Sequence, residues 1–193
     1  MTITQFACRY CRAIAPGERK GVASVEFALY SIVFLILLAG TVDIGNLIFS
    51  EFQLDATVAA GAQYAVVNAN NVNSTSGATL ASSISAVVNN GHVSGDGWSN
   101  TVVVNNGPTT ATSAGSPTSS GTASNADNCY CPTGSPGSWT WGSTVTCGAG
   151  CSGSGTAGKF VSITASRTYA RFFPSWSFFS GNTLTRSAMV QVD

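Results

Sequence analysis

Six cysteines, one histidine and eight acidic residues hold most of the reactive chemistry in this chain of 193 residues. Four of the thiols form two motifs, Cys129-x-Cys131 and Cys147-x-x-x-Cys151. An even set of closely spaced cysteines points to two disulfides in an oxidising compartment. Three connectivities are open. Pairing of Cys129 or Cys131 with Cys147 or Cys151 is favoured, because a bridge inside Cys-x-Cys would close a strained ring. A four-thiolate zinc site is the rival reading, but the spacing is not that of a zinc knuckle. The other pair, Cys8-x-x-Cys11, has no second pair or histidine beside it. His92 follows Gly91 in a loop-like stretch without an accompanying nucleophile or carboxylate motif. No phosphate-binding loop, Gly-x-Ser-x-Gly or His-Glu-x-x-His occurs. These features predict a protein that is not an enzyme, with no metal, cofactor or small-molecule substrate.

Among the acids, Glu26 stands in the costliest place. Arg19 and Lys20 stop at Gly21, and an apolar run follows to Val42 with Glu26 as its one charge. A carboxylate near the start of a membrane segment costs roughly 2.5–3.5 kcal/mol, so it reads as functional. Residues 1–21 carry four cations against one acid, and the remainder carries four cations against seven acids. Cations before an apolar run orient the N-terminus to the cytoplasm and the rest outward. Nothing in the outward part is basic enough for nucleic acid. A secretory signal would have an apolar core of about 7–15 residues ending at small residues. The uncharged run Phe27–Val42 is longer and has no such site, so the segment reads as retained and the cut as preceding it.

Elements that position these residues follow from periodicity. From Val22 to about Asn68 there is no proline and only Gly40, Gly45 and Gly61. A helix of that extent measures roughly 70 Å, against roughly 30 Å of hydrocarbon. Its membrane part is about 22–42. Beyond it, Ile44, Ile48 and Phe52, then Val58, Ala62 and Val66, recur at i, i+4, with Glu51 and Asp55 on another face. Ala56, Ala59, Ala60, Gly61, Ala62 and Ala65 keep this half slim enough for close helix contact. Asp43 lies where the helix leaves the bilayer.

After an Asn/Ser-rich break, Leu80, Ile84, Val87 and Val88 predict a second helix stopped at Asn89-Asn90-Gly91. Trp98–Val104 reads as a strand. Residues 105–128 are nearly all Asn, Gly, Pro, Thr, Ser and Ala with a single charge. That composition predicts a flexible insert, because it buries too little apolar surface to offset ordering. Phe160–Ala165 and the final segment alternate as half-buried strands, with Arg186 standing on the apolar face of the latter. Between them Phe172, Phe173, Trp176, Phe178 and Phe179 form either an exposed contact surface or a loop closing the core.

Gly-Val-Ala-Ser-Val-Glu-Phe-Ala-Leu (21–29), with the later Val-Asp-Ile-Gly (42–45), resembles the TadE/TadG family, minor pilins or pseudopilins of bacterial tight-adherence (Tad/Flp) pili. The C-terminal order Val-Ser-Ile-Thr-Ala-Ser, Phe-Phe-Pro and Leu-Thr-Arg-Ser-Ala-Met-Val-Gln-Val is similar to the end of TadE-like proteins. The resemblance implies prepilin-type cleavage between Gly21 and Val22, an assembly and register role for Glu26 and Phe27, and helix packing at Asp43 and Gly45. It further implies a prepilin peptidase, other pilin subunits and the inner membrane as partners. Many members carry a proline early in the membrane helix, where Tyr30-Ser31 stand here, so a straighter helix is expected.

The expected fold is α+β. A leader (1–21) precedes a long transmembrane helix (22–68) and a small periplasmic domain (69–104 and 129–193) on a three- or four-stranded antiparallel sheet, interrupted by the insert. The expected location is the bacterial inner membrane, single-pass with the N-terminus cytoplasmic, with the pilus or cell surface as a further destination. A signal-anchored binding or adhesive domain on a helical stalk, and a pseudopilin of a secretion system, are the alternatives.

Overall fold

The structure, a computed structural model, describes residues 21–91, 97–153, 155–169 and 182–192. It is α+β, a long N-terminal helix followed by an antiparallel sheet domain. The chain divides into two units, Met1–Ile44 and Gly45–Asp193.

Helix α1, Val22–Val67, is proline-free for 46 residues. It ends one residue before the expected Asn68, whose backbone N–H and side-chain amide both donate to the Tyr64 carbonyl at 3.1 and 2.9 Å. A short 3-10 turn, Ala69–Asn71, follows. The Asn73 side-chain oxygen then accepts the N–H groups of Thr75 and Ser76 at 2.9 and 2.8 Å. This Asx turn leads into α2, Gly77–Asn90. Leu80, Ile84 and Val88 bury the expected stripe of α2, and its stop at Gly91 also lies where expected. Gly91 is there for space, since its φ is −78° and a Cβ on it would come 2.7 Å from the Thr57 methyl of α1.

The main sheet is antiparallel throughout and contains β1 (Trp98–Val104), β2 (Thr109–Ser113), β3 (Ser116–Ser120), β6 (Phe160–Thr168) and β7 (Thr183–Gln191). Its order is β3-β2-β1-β6-β7. A separate ribbon pairs β4 (Thr133–Ser135) with β5 (Ser138–Thr140). Val102 and Val104 of β1 and Val161, Ile163 and Ala165 of β6 form one floor of the core. Leu80, Ile84 and Val88 of α2 and Leu54, Val58 and Ala65 of α1 close over it. A buried polar knot fastens α2 to the sheet. The Ser85 hydroxyl lies 2.6 Å from the Asn100 side-chain oxygen and 2.8 Å from the Thr112 hydroxyl.

Two expectations need correction. The inward face of α1 runs through Leu54, Thr57, Val58, Gly61 and Ala65, whereas Ile48, Phe52 and Val66 face outward. The helix is apolar around nearly its whole circumference, so periodicity offered no contrast. Side-chain size decides instead: a Cβ on Gly61 would sit 2.7 Å from a Val88 methyl and 3.2 Å from Ile163.

Residues 105–128, expected as a flexible insert, form β2, β3 and a 3-10 turn at Ala123–Asp127, which raises the sheet to five strands. Backbone conformation and buried polarity hold them where apolar area is scarce. Asn105 and Asn106 take positive φ (51° and 57°), and Ala114-Gly115 (49° and 81°) form the two-residue β2–β3 turn. Both are mirror-image turns that match strand twist. Asn105 is fully buried. Its amide donates to the carbonyls of Asn128 (2.6 Å) and Ala126 (3.1 Å), and its oxygen accepts Phe160 N–H (3.2 Å). Thr110 and Thr112 supply the buried side of β2.

Replacing Asn105 by Ala removes these bonds and puts an ordinary residue at positive φ. It is expected to destabilise the domain by at least about 2 kcal/mol. Asn106→Gly keeps the turn and is expected to be neutral or slightly stabilising. Thermal unfolding of both variants checks the pair.

Candidate functional site

At the front of α1, no residue from Gly21 to Phe49 is buried. Gly21 is the first described residue, and its carbonyl accepts the Ser24 hydroxyl at 2.8 Å. Val22, Glu26 and Phe27 are all exposed, Phe27 to 74%. Val22 and Glu26 are spaced i, i+4, and Glu26 forms no ion pair among the described residues. Helix α1 is long and apolar enough to cross a membrane, and none of its most apolar window is buried in the chain. Such a segment satisfies its backbone internally and leaves mostly apolar side chains for lipid or protein to cover. Asp43 is half-buried, and a Cβ on Gly45 would meet nothing within 4 Å.

Further along α1, the structure brings Arg186 to the face that carries Glu51 and Asp55. Glu51 and Asp55, one helical turn apart, both reach Arg186 of β7. The distances are 3.0 Å from Arg186 Nη2 to Glu51 Oε2 and 2.9 Å from Nε to Asp55 Oδ1. This explains a cation on the apolar face of β7, where it lies between Leu184 and Ala188. A second tie runs from Arg167 of β6 to the Gln53 side chain at 3.0 Å. The signal was present: two acids at the helical repeat and one cation on a strand face turned to that helix. Each pair is partly solvated, so it contributes about 0.2–1 kcal/mol. Their larger effect is to keep two carboxylates of α1 compensated by the chain's own sheet.

The four outward cysteines form two bridges, Cys129–Cys147 and Cys131–Cys151, both across the motifs. Between them Tyr130 is buried with its ring edge-on to Trp141 at 5.9 Å. Backbone pairs Cys129–Val145, Tyr130–Gly158 and Gly150–Thr156 hold the segment as isolated bridges. Residues 132–138 and 142–150 are mostly exposed, so this region has little core of its own. The bridges substitute for one. Nearby, the Asp127 carboxylate accepts the Ser74 N–H at 2.9 Å, and hydrogen bonding from Ser74 lowers its pKa below the ordinary value. Lys159 Nζ donates to the Val72 carbonyl at 2.7 Å. No group of three or more metal-ligating side chains occurs among the described residues. Cys8, Cys11, His92 and the aromatic residues Phe172, Phe173, Trp176, Phe178 and Phe179 lie outside the described residues.

The model of the TadE-like protein family matches residues 21–63, from Gly21 through Glu26 and the apolar run into the half of α1 that carries Glu51 and Asp55. No curated protein matches the chain. No solved structure matches it either.

Alkylation of the denatured chain without reductant should label none of Cys129, Cys131, Cys147 and Cys151. Removing one bridge by a double Cys→Ser change is expected to cost roughly 3 kcal/mol, from the loop entropy returned to the unfolded chain. Thermal unfolding with and without reductant measures it. Full labelling of the unreduced chain would contradict the bridges.

Proposed function

We propose that this chain, TadE-like over residues 21–63, is a minor pilin or pseudopilin that acts as a structural or initiating subunit in tight-adherence pilus assembly. In this reading it is a single-pass inner-membrane protein with its domain in the periplasm, and a prepilin peptidase cuts between Gly21 and Val22. It performs no catalysis and takes no cofactor, nucleic acid or small-molecule substrate. Its partners are other pilin subunits, reached through α1.

The observation that carries the proposal is the family match, which begins at Gly21 and includes Glu26 and an apolar helix with no buried residue before Ser50. The chemistry follows from those residues. Cleavage frees an α-amine at Val22, which is largely cationic at neutral pH. Glu26 lies one helical turn away. Pairing of Glu26 with its own chain's amine would only lower the cost of placing the charge in lipid. Pairing with the amine of an adjacent subunit relieves that cost in one axial register alone. Cleavage then creates the cation that permits assembly, and Glu26 sets the stagger between helices.

Two measurements test this. The intact mass of the membrane-extracted protein should correspond to a chain starting at Val22, and Met1 retained in cells that contain the peptidase would refute the processing step. Glu26→Ala should insert into the membrane yet fail to enter the assembly, and Glu26→Gln should fail in the same way. Assembly of Glu26→Ala at the wild-type level would eliminate the pairing mechanism. It would leave a signal-anchored binding domain on a stalk as the better reading.

A further inference from the structure

The five-stranded sheet has two edges, and they are built differently. Backbone bonds at the ends of the ladders reveal which groups each edge offers. Val192 N–H donates to Lys159 C=O, and Tyr169 N–H donates to Asn182 C=O. Both pairs continue the β6–β7 register, so Leu184, Arg186, Ala188 and Val190 are the residues of β7 that bond to β6. The alternate residues Thr183, Thr185, Ser187, Met189 and Gln191 turn their N–H and C=O groups away from the sheet. Among the described residues only the Thr185 carbonyl is engaged, by Arg186 Nη1 at 3.2 Å, and no other segment bonds to the rest. The same reasoning applies at β3, starting from Val104 N–H to Pro108 C=O. There the outward positions are Pro117 and Ser119, and Pro117 has no N–H to give.

Edge strands are commonly blunted by shortness, proline or a bulge. At five residues with a proline at its second position, β3 is blunted. In contrast, β7 is nine residues long, without proline or glycine, and pairs with β6 in unbroken register. Its one charge, Arg186, already has two internal carboxylate partners. Leu184, Ala188 and Val190 lie half-buried at the rim of the core on the helix-facing side of β7. Ala62 of α1, two turns after Asp55, packs against the same core.

We propose that the outer edge of β7 is a docking site for one extended segment of a different protein chain, added as a sixth strand, with a basic side chain beside Asp55. The row of outward donors and acceptors accepts an extended backbone and not a helix. Charge selects the side chain. Glu51, Asp55 and Arg186 together carry one net negative charge, and Asp55 is 53% exposed against 35% for Glu51. A lysine or arginine on the inner face of the added strand completes that cluster. A second copy of this chain fits less well. Antiparallel pairing of two β7 strands about Ser187 would bring two net-negative clusters to neighbouring positions.

Labelled nonapeptides alternating Val and Thr, with Lys, Ser or Glu at the central inward position, test the site on the full-length protein in detergent micelles. The Lys peptide should bind at least tenfold more tightly than the Glu peptide, with Ser between them. Asp55→Asn should erase most of that difference. Ser187→Pro removes an outward N–H that the fold does not use. It should shift the melting temperature by only a few degrees and abolish binding, with Met189→Pro as the second variant if Ser187→Pro unfolds. Equal binding of the three peptides, no binding of any, or binding retained in a folded Ser187→Pro variant would overturn the proposal. So would dimers of the chain alone that Ser187→Pro disperses, which would assign the edge to a second copy.

Discussion

An α-helix that is apolar around nearly its whole circumference has little side of its own to give to water, and this constraint governs the architecture built on α1. In the second unit the response is a half-cover. From Ser50 onward, α2 and the sheet take the face of Leu54, Val58, Gly61 and Ala65 and leave Phe52 and Val66 outside. The choice of face follows from reach. Gly61 presents so little bulk that Val88 and Ile163 come to its backbone, and packing energy rises with such close approach. A larger residue at that position would hold α2 off and open a gap over β6.

Covering a helix with a small domain creates a second problem, the scarcity of apolar material in a chain so rich in Ser, Thr, Asn and Gly. Buried polar groups with defined partners meet part of it. Ser85, Asn100 and Thr112 tie α2 to two strands, and Asn105 ties the first turn of the sheet to three carbonyls and an N–H. Such bonds add little net energy each, but leaving any one unmade is costly, so they select a single arrangement. Beyond the reach of this core, in the stretch from Cys129 to Cys151, the chain turns to covalent staples.

The same features explain what could be read from the sequence. The long helix, the second helix, β1 and the two C-terminal strands were legible, because Pro-free length, helical spacing and strict alternation are contrasts visible in one dimension. Bonding across the two cysteine motifs was legible from ring strain. The β2–β3 hairpin was not. Thr109–Ser120 has no apolar alternation, and what orders it is positive φ at Asn105, Asn106 and Ala114 together with hydrogen bonds to residues about twenty positions away. The inward face of α1 is hidden in the sequence for the opposite reason, an excess of apolar residues. Arg186 is out of place on an apolar face in the sequence, and only the packing of β7 against α1 reveals the carboxylates it answers.

The treatment of acids on α1 sets Glu26 apart. Glu51 and Asp55 share Arg186, at the expense of placing a guanidinium on the core side of a strand. Three cations occur among the described residues after Gly21, and each is already engaged within the second unit: Lys159 with the Val72 carbonyl, Arg167 with Gln53, Arg186 with the two acids. None of them serves Glu26. A chain that gives Glu51 and Asp55 a shared cation and leaves without a described counter-charge the acid in its most apolar segment has the costs reversed, unless that charge arrives later. On the proposed reading it does, as the amine created when the leader is removed. The asymmetry then has a physical purpose: a built-in partner for Glu26 would satisfy it in every subunit alone and remove the drive to assemble.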